Sequence, residues 1–394
     1  MTIRDFWSGV AAAIRREMGR VAANGEYRAV MLWLPLGVIL FFAIFFSQEV
    51  VGPLPIAVVD EDNSSLSRKL VTMLRATPQI SLVEEVADVE SARQRVLQGG
   101  VVGAVEIPDG FARKILSGES AEVLFYDSGA NISTNALSAK GVHSVVTSFG
   151  VGVALQRTEM EDAMTEDAMA RVMPIGFSTY GLFNPWLNYA YYVAPCFLAM
   201  LLIITAMLSA IYAVGTELRY GTSIGWLRVA NGSLVGAVIG KLTPATLAMW
   251  LLALVVGALV FGVWGAPMRG SWVVLILGAI ALVMAYQAVA IFIVALTASF
   301  RLSLSLGGGY SVLAFTFSGV TFPTMAMLSA VQPFTMLFPY TYFMQLYIDQ
   351  AVRGSAWWLS MQDIAAILLF CMLPLLVLGR LKRVMVTRRF WGRL

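Results

Sequence analysis

The stretch GPLPIAVVDEDNSSLSR, from Gly52 to Arg68, decides how this chain is read. It follows an apolar run, LPLGVILFFAIFF, which leads into Ser47, Gln48 and Glu49. LPIAVVD has the β-branched character of a buried strand, and the acids and serines after it precede a helical pattern, SLSRKL, with Ser64 or Ser65 as its cap. A hydrophobic helix that hands over to a strand and a capped helix marks the entrance to a module built for water. The fold then depends on what surrounds that module and on which side of a membrane it faces.

Composition answers the first point. The 394 residues are 58% hydrophobic and 13% charged, against about 25% charged in soluble globular domains. In a bilayer the backbone must satisfy its own hydrogen bonds, so spanning segments are helices of about 20 apolar residues or a closed barrel. Long apolar runs are what the sequence contains. Six candidate spans are expected: Val30 to Phe46, Tyr189 to Val214, Leu242 to Val263, Trp272 to Ala298, Leu304 to Met325 and Trp357 to Gly379. The first reads as a retained anchor rather than a signal peptide, because 29 residues precede it and no small-residue cleavage site follows. The last carries Asp363 near one end and two tryptophans before it, which suits a helix starting among headgroups. Cys196 and Cys371 both fall in apolar runs and read as packing residues.

Lys and Arg in the short loops set the orientation. An even number of spans places both termini on one side. If that side is the cytoplasm it receives 15 Lys and Arg residues, from Arg4 to Arg393, while the short outer loops hold only Arg269 and Arg353. The segment from Gln48 to Pro185 then faces outward. It holds ten Lys/Arg and eighteen Asp/Glu, a net charge of −8, against +11 for the rest of the chain. An acidic outer segment is a poor site for nucleic acid or anionic glycan, which need basic neutralisation. The basic side meets anionic headgroups and cytoplasmic partners.

Inside that outer segment the pattern alternates. LPIAVVD, QISLVEEV, VVGAVEIP and AEVLFYD read as strands, and SSLSRKLVTMLRA, DVESARQRVLQGG and DGFARKILSG as helices, which makes a compact α/β module. Asn131 to Met173 reads as a helical stalk, with Gly141, Gly150 and Gly152 as bends or close-packing points. The expected fold is thus an α-helical polytopic membrane protein of six transmembrane helices with an inserted extracytoplasmic α/β domain. Its parts are an amphipathic interfacial helix (1–29), the first span (30–47), the outer domain with its stalk (48–185), spans two to six (186–379) and a basic tail (380–394).

The strand LPIAVVDEDNSSLSR, the later VVGAVEIPDGFARKILSGESAEVLFYDSG and the run NPWLNYAYYVAPCFLAM together resemble permease subunits of ATP-binding-cassette exporters of the type-2 superfamily. The likeness covers nearly the whole chain and points to the bacterial branch with a large extracytoplasmic domain between the first and second helices. It implies residence in the inner membrane and a dimer with a second copy or a homologous permease. It also implies cytoplasmic ATPase subunits as partners, in some cases a periplasmic adaptor, and outward movement of drugs, lipids or other amphipathic molecules.

The residues themselves carry no engine. The nearest match to a phosphate-binding loop, VGAVIGKLT, has Val235 where a glycine is required and Leu242 where the magnesium-binding hydroxyl belongs. No cofactor is therefore expected on this chain, and ATP and magnesium are expected on the partner ATPase. The single histidine, His143, excludes paired-histidine metal motifs, no G-x-S-x-G elbow is present, and Asp60 to Asp62 lack the spacing of a calcium loop. No catalytic or metal residue is assigned.

Two cytoplasmic pieces are amphipathic. In the first 21 residues Ile3, Phe6, Trp7, Val10, Ile14, Met18 and Val21 fall near one helical face, with Arg15, Arg16 and Arg20 elsewhere. That pattern suits a helix in the interface plane, either anchoring the terminus or, as the resemblance implies, docking the ATPase. The second piece, GTELRYGTSIGWLRVANGS, lies in the loop 215–238. In the resembled family this loop often reads R-E-R-E-x-G-T and presents a coupling helix. Here Glu217, Gly221 and Thr222 match, Thr216, Leu218 and Arg219 depart, and Tyr220 is the free position. The alternative is a solvated basic loop that sets topology.

Gly232, Gly236 and Gly240 recur every fourth residue and read as a helix-packing face. The three glycines of SLGGGYSVLAF permit either bending at a gate or close packing. The segment 327–350, broken by Pro333 and Pro339, reads as re-entrant or interfacial helices at the outer leaflet, or else as a loop with an aromatic belt. The spans hold almost no ionisable residues, which disfavours a proton relay, and Met, Phe, Tyr and Leu suit amphipathic cargo. The rival functions are an envelope scaffold or receptor that binds through the outer domain, and a subunit that transmits the ATPase stroke outward without carrying cargo.

Overall fold

The computed structural model describes residues 2–46, 52–128, 132–159 and 189–392. The chain divides into two units, one of residues 1–50 with 182–394 and one of residues 51–181.

The helical unit begins with α1 (Ile3–Ala23). Thr2 and Asp5 form a capping box at its start, and those hydrogen bonds hold the Asp5 carboxyl below its usual range. The next helical run, α2, spans Gly25–Phe45 and is the first segment long and apolar enough to cross a membrane.

The second unit follows, with β1 (Leu54–Asp60), α3 (Ser65–Arg75), β2 (Ile80–Glu85), α4 (Val89–Leu97), β3 (Gly103–Ile107), α5 (Phe111–Ser117), β4 (Leu124–Asp127) and α6 (Ile132–Glu159). The sheet order is β2-β1-β3-β4. β1 pairs in parallel with both β2 and β3, and β4 closes the edge antiparallel to β3. A central parallel strand is covered on both faces, which explains why LPIAVVD is apolar throughout. Ile56 and Val58 pack with Leu70, Leu74, Phe111 and Phe149, while Ala57 and Val59 pack with Ala92 on the other face.

The acids after β1 build the turn. Asn63 adopts φ +51°, its amide donates to Asp60 Oδ1 at 3.0 Å, and the Ser67 hydroxyl donates to Asp60 Oδ2 at 2.7 Å. Ser64 is the cap of α3, accepting from the Ser67 amide at 3.0 Å. Asp62 accepts from the Ala112 amide at 3.2 Å, at the start of α5. The stalk helix runs without interruption through Gly150 and Gly152; of its three glycines only Gly141 sits in close contact, with Ile80 and Gln79. The rest of the expected stalk, 160–173, lies outside the described residues.

The helical unit resumes with α7 (Tyr189–Arg219), α8 (Ser223–Val229), α9 (Leu234–Gly257, continued by a wider turn to Val263), α10 (Trp272–Thr297) and α11 (Phe300–Thr316). It closes with α12 (Pro339–Tyr347), α13 (Met361–Phe370) and α14 (Leu373–Val386). Among the described residues five segments are long and apolar enough to span, Gly25–Phe45, Tyr191–Arg219, Leu234–Val263, Trp272–Thr297 and Trp357–Val386. α7 and α10 are the most buried of them and form the centre.

The sixth expected span, Leu304 to Met325, is occupied by α11, which has 17 residues and ends at Thr316. At 1.5 Å per residue that is about 26 Å, short of a hydrocarbon core of about 30 Å. The chain then turns through Gly319 at φ +84°. α11 is helical through all three of its consecutive glycines, and a Cβ at Gly307 would stand 2.5 Å from Ile211 Cδ1, so this glycine serves close packing on α7.

Within 327–350 the chain forms a short turn, Gln332–Thr335, and then α12, most of whose side chains are buried. Tyr340 and Tyr347 donate to the carbonyls of Cys196 and Tyr191 at 2.7 and 3.1 Å, tying α12 to α7. The basic tail expected from 380 begins inside α14. There Arg380 donates to the carbonyls of Ala295 and Leu296, each at 2.8 Å, and so satisfies the end of α10.

Candidate functional site

α1 and α9 cross closely because the side chains at the crossing are small. A Cβ at Gly240 would stand 2.6 Å from Ala13 Cβ and 2.7 Å from the Val10 carbonyl oxygen, and one at Gly9 would stand 2.9 Å from the Ala230 backbone. Gly236 faces Phe6 at 3.3 Å in the same sense. Gly232 does not belong to this seam: it precedes α9, has φ +78°, and a Cβ there would meet nothing within 4 Å. Its glycine serves the turn.

The close crossing brings Lys241, next to Gly240, against α1. Lys241 is fully buried and its Nζ donates to Glu17 Oε2 at 2.6 Å and Glu217 Oε1 at 2.7 Å. Arg16 grips Glu217 with both terminal nitrogens, at 2.8 and 3.1 Å. Arg20 reaches Glu217 Oε1 at 2.7 Å, Glu17 Oε2 at 3.2 Å and Thr216 Oγ1 at 3.0 Å. The Tyr27 hydroxyl donates to Glu17 Oε1 at 2.9 Å, and the Thr222 hydroxyl donates to Glu217 Oε2. Three cations thus meet two carboxylates, and all four carboxylate oxygens are engaged. Such a set is stable only when every member is paired, since an isolated buried charge costs several kcal/mol.

The cluster joins α1, the end of α7 and the start of α9 beneath α8. Around it the loop is held by neutral contacts. The Ser223 hydroxyl donates to the Glu217 carbonyl at 3.0 Å, the buried Trp226 indole donates to the Ala237 carbonyl at 3.2 Å, and Lys241 Nζ lies 5.3 Å from the Trp226 ring. Near the C-terminus, the Gly392 amide donates to the Leu218 carbonyl at 3.1 Å and Trp391 covers Gly221, which has φ +67°.

The six residues read from the loop as a coupling site therefore separate. Glu217 and Leu218 are buried, and Glu217 is an anchor that no partner can touch in this arrangement. Arg219, Tyr220 and Thr222 are exposed and Gly221 is half-exposed beneath Trp391. Gly225 and Arg228 of α8 are exposed as well. The first helix also divides. Val10 and Val21 of its apolar set are buried against the bundle together with Ala13 and Glu17, whereas Ile3, Trp7 and Met18 point outward at 81%, 59% and 55% exposure.

Sequence reasoning missed Glu17 and the pairing role of Lys241. The signal was present. Val10, Ala13, Glu17 and Val21 are spaced three and four apart, so a carboxylate sits on a buried helical stripe, and Lys241 lies inside an apolar span.

The family described as ABC-2 family transporter protein matches residues 27–380. A probable multidrug ABC transporter permease, YbhR, of Escherichia coli K12 is 23% identical over 260 residues, which cover 66% of each chain, and its counterpart in Escherichia coli O157:H7 matches to the same extent. A crystallised domain ascribed to an ABC type-2 transporter of Thermotoga maritima MSB8 is 23% identical and aligns with 31% of this chain and 81% of its own, at a TM-score of 0.24. With the family match spanning most of the sequence, the chain belongs to the ABC-2 family of transporters and is a membrane permease.

Proposed function

We propose that this chain is the membrane-spanning subunit of an ATP-driven exporter. It works as a dimer with a second copy or a homologous permease, and separate ATPase subunits bind ATP and magnesium. The observation that carries this reading is the buried ion cluster. It fastens α1, α7 and α9 into one body beneath α8, so a push on the exposed face of α8 moves two spans together, and this chain needs no chemistry of its own. Arg219, Tyr220, Gly225 and Arg228 form the face offered to the ATPase.

The excess of Lys and Arg on this side of the spans supports a cytoplasmic position for the cluster and an extracytoplasmic one for residues 51–181, in a bacterial inner membrane. The segment 327–350 would close the outer end of the pathway, and an adaptor would meet the outer unit. Apolar spans and the likeness to a probable multidrug permease support amphipathic, drug-like or lipid-like cargo.

Purification from the native host tests the reading: a Walker-motif ATPase should accompany the chain, with ATP turnover that responds to cargo. Tyr220→Ala with Arg228→Glu should uncouple turnover from export while membrane insertion is unchanged. A stable complex without any ATPase would instead favour a scaffold or receptor. Orientation is read separately, by labelling Glu61→Cys in intact cells with a membrane-impermeant maleimide; Glu61 is exposed, and failure to label without lysis would reverse the topology.

A further inference from the structure

Between α9, α10 and α14 the helical unit carries a groove of about 440 Å³. Its walls are apolar, with Ile239, Leu247, Met284 and Leu378 among them, and no Asp, Glu, Lys or Arg lines it among the described residues. Two polar side chains open onto it. Gln287 is 3% exposed; its Oε1 accepts from the Thr246 hydroxyl at 2.7 Å, while its Nε2 has no hydrogen-bond partner among the described residues. The indole Nε1 of Trp250, one turn beyond Thr246 on α9, also has none. Buried donors are nearly always paired, and an unpaired one that lines a groove marks the place where an acceptor belongs.

Depth and charge identify that acceptor. Gln287 lies ten residues before the Thr297 end of α10, about 15 Å along the axis. That is close to the middle of a hydrocarbon core about 30 Å thick. The ester carbonyls of ordinary bilayer lipids lie in the interfacial layers outside this core and do not reach it. Water is excluded from the same depth. With no ionisable Asp, Glu, Lys or Arg in the wall, a charged group has no counter-ion here.

We propose that this groove is a binding site for an elongated, uncharged amphiphile that carries a keto, ether or hydroxyl oxygen within its apolar portion, held by Gln287 Nε2 and Trp250 Nε1. The proposal rests on the permease reading in taking the occupant to be cargo; the binding site itself is tested without transport.

The test uses the full chain in lipid nanodiscs and two diazirine-tagged fatty alcohols, one with a mid-chain ketone and one with a methylene in its place. Cross-links are mapped by mass spectrometry. The ketone probe should label α9 and α14 at about tenfold lower concentration than the methylene probe, as two added hydrogen bonds require. Gln287→Leu and Trp250→Phe should each narrow that gap, and the double variant should close it, with melting curves like that of the parent. Equal labelling by the two probes overturns the proposal. So does a gap that survives Gln287→Leu while the melting temperature falls, which would place the amide's partner inside the bundle. Labelling that is blocked on stabilising a dimer would assign the groove to a second copy and likewise overturn it. Selective labelling without a partner ATPase would leave the site standing and remove the exporter reading, whereas ATP-coupled export with equal labelling would do the reverse.

Discussion

The helical unit buries polar side chains in two places and completes only one of them. Beneath α8, Glu17, Glu217, Lys241, Arg16 and Arg20 share their donors and acceptors until no carboxylate oxygen is open. In the groove beside α10, Gln287 and Trp250 keep donors free. The cost of burial is the same kind in both, the loss of water, but only in the first is it offset within the chain. A complete set of charges holds helices in register and resists being opened; an incomplete set of neutral donors leaves the helices to be held by apolar packing and remains available to another molecule.

That contrast predicts the largest effect at Lys241. Lys241→Met keeps the length and volume of the side chain but removes the only cation that is fully buried beside both carboxylates. Destabilisation of about 3–5 kcal/mol is expected, the range for breaking a buried pair from one side. Thermal melting in detergent checks it, and an unchanged melting temperature would mean that the two arginines alone suffice. Gly240→Val attacks the same cluster through geometry. Its Cβ has no room against Ala13 and Val10, so α1 must withdraw and the ion pairs lengthen; a loss of about 1–3 kcal/mol is expected. Gly19→Ala, on the same helix α1, has nothing within 4 Å and should stabilise by about 0.5–1 kcal/mol, because alanine loses less backbone entropy in a helix. If both glycine variants behaved alike, the crossing would not be what brings the charges together.

How far each part was legible in the sequence follows from the distance over which it is specified. LPIAVVD and its serine cap are local patterns, and β1 and the Ser64 cap stand where those patterns put them. The spans are local in the same way, being runs of apolar residues, except that a run says nothing about where a helix stops; the turn at Gly319 ends α11 before apolar composition does. The cluster is different. Residues 17, 217 and 241 are brought together by a crossing, and no window of sequence contains the pair. Glu217 was singled out from its loop, yet its burial depends on α1, some 200 positions away. Gly236 and Gly240 share a face of α9 as their spacing requires, while Gly232 fell in the same count although the helix starts after it.

The smallest expected effect is the sharpest test of the contrast, because the substitution is of the same kind as the largest. Gln287→Leu exchanges a buried polar side chain for an apolar one of similar size, as Lys241→Met does. It gives up one hydrogen bond with Thr246, about 1 kcal/mol, but Thr246 is not stranded, since its hydroxyl also lies 2.9 Å from the Leu242 carbonyl. Against that loss, it removes an amide nitrogen whose unpaired burial costs about 1–3 kcal/mol. The two nearly cancel, so the melting temperature of Gln287→Leu should stay close to that of the parent chain or rise. A fall as large as that of Lys241→Met would show that Gln287 is paired inside the bundle after all, and the two buried polar sites would then be one kind of structure instead of two.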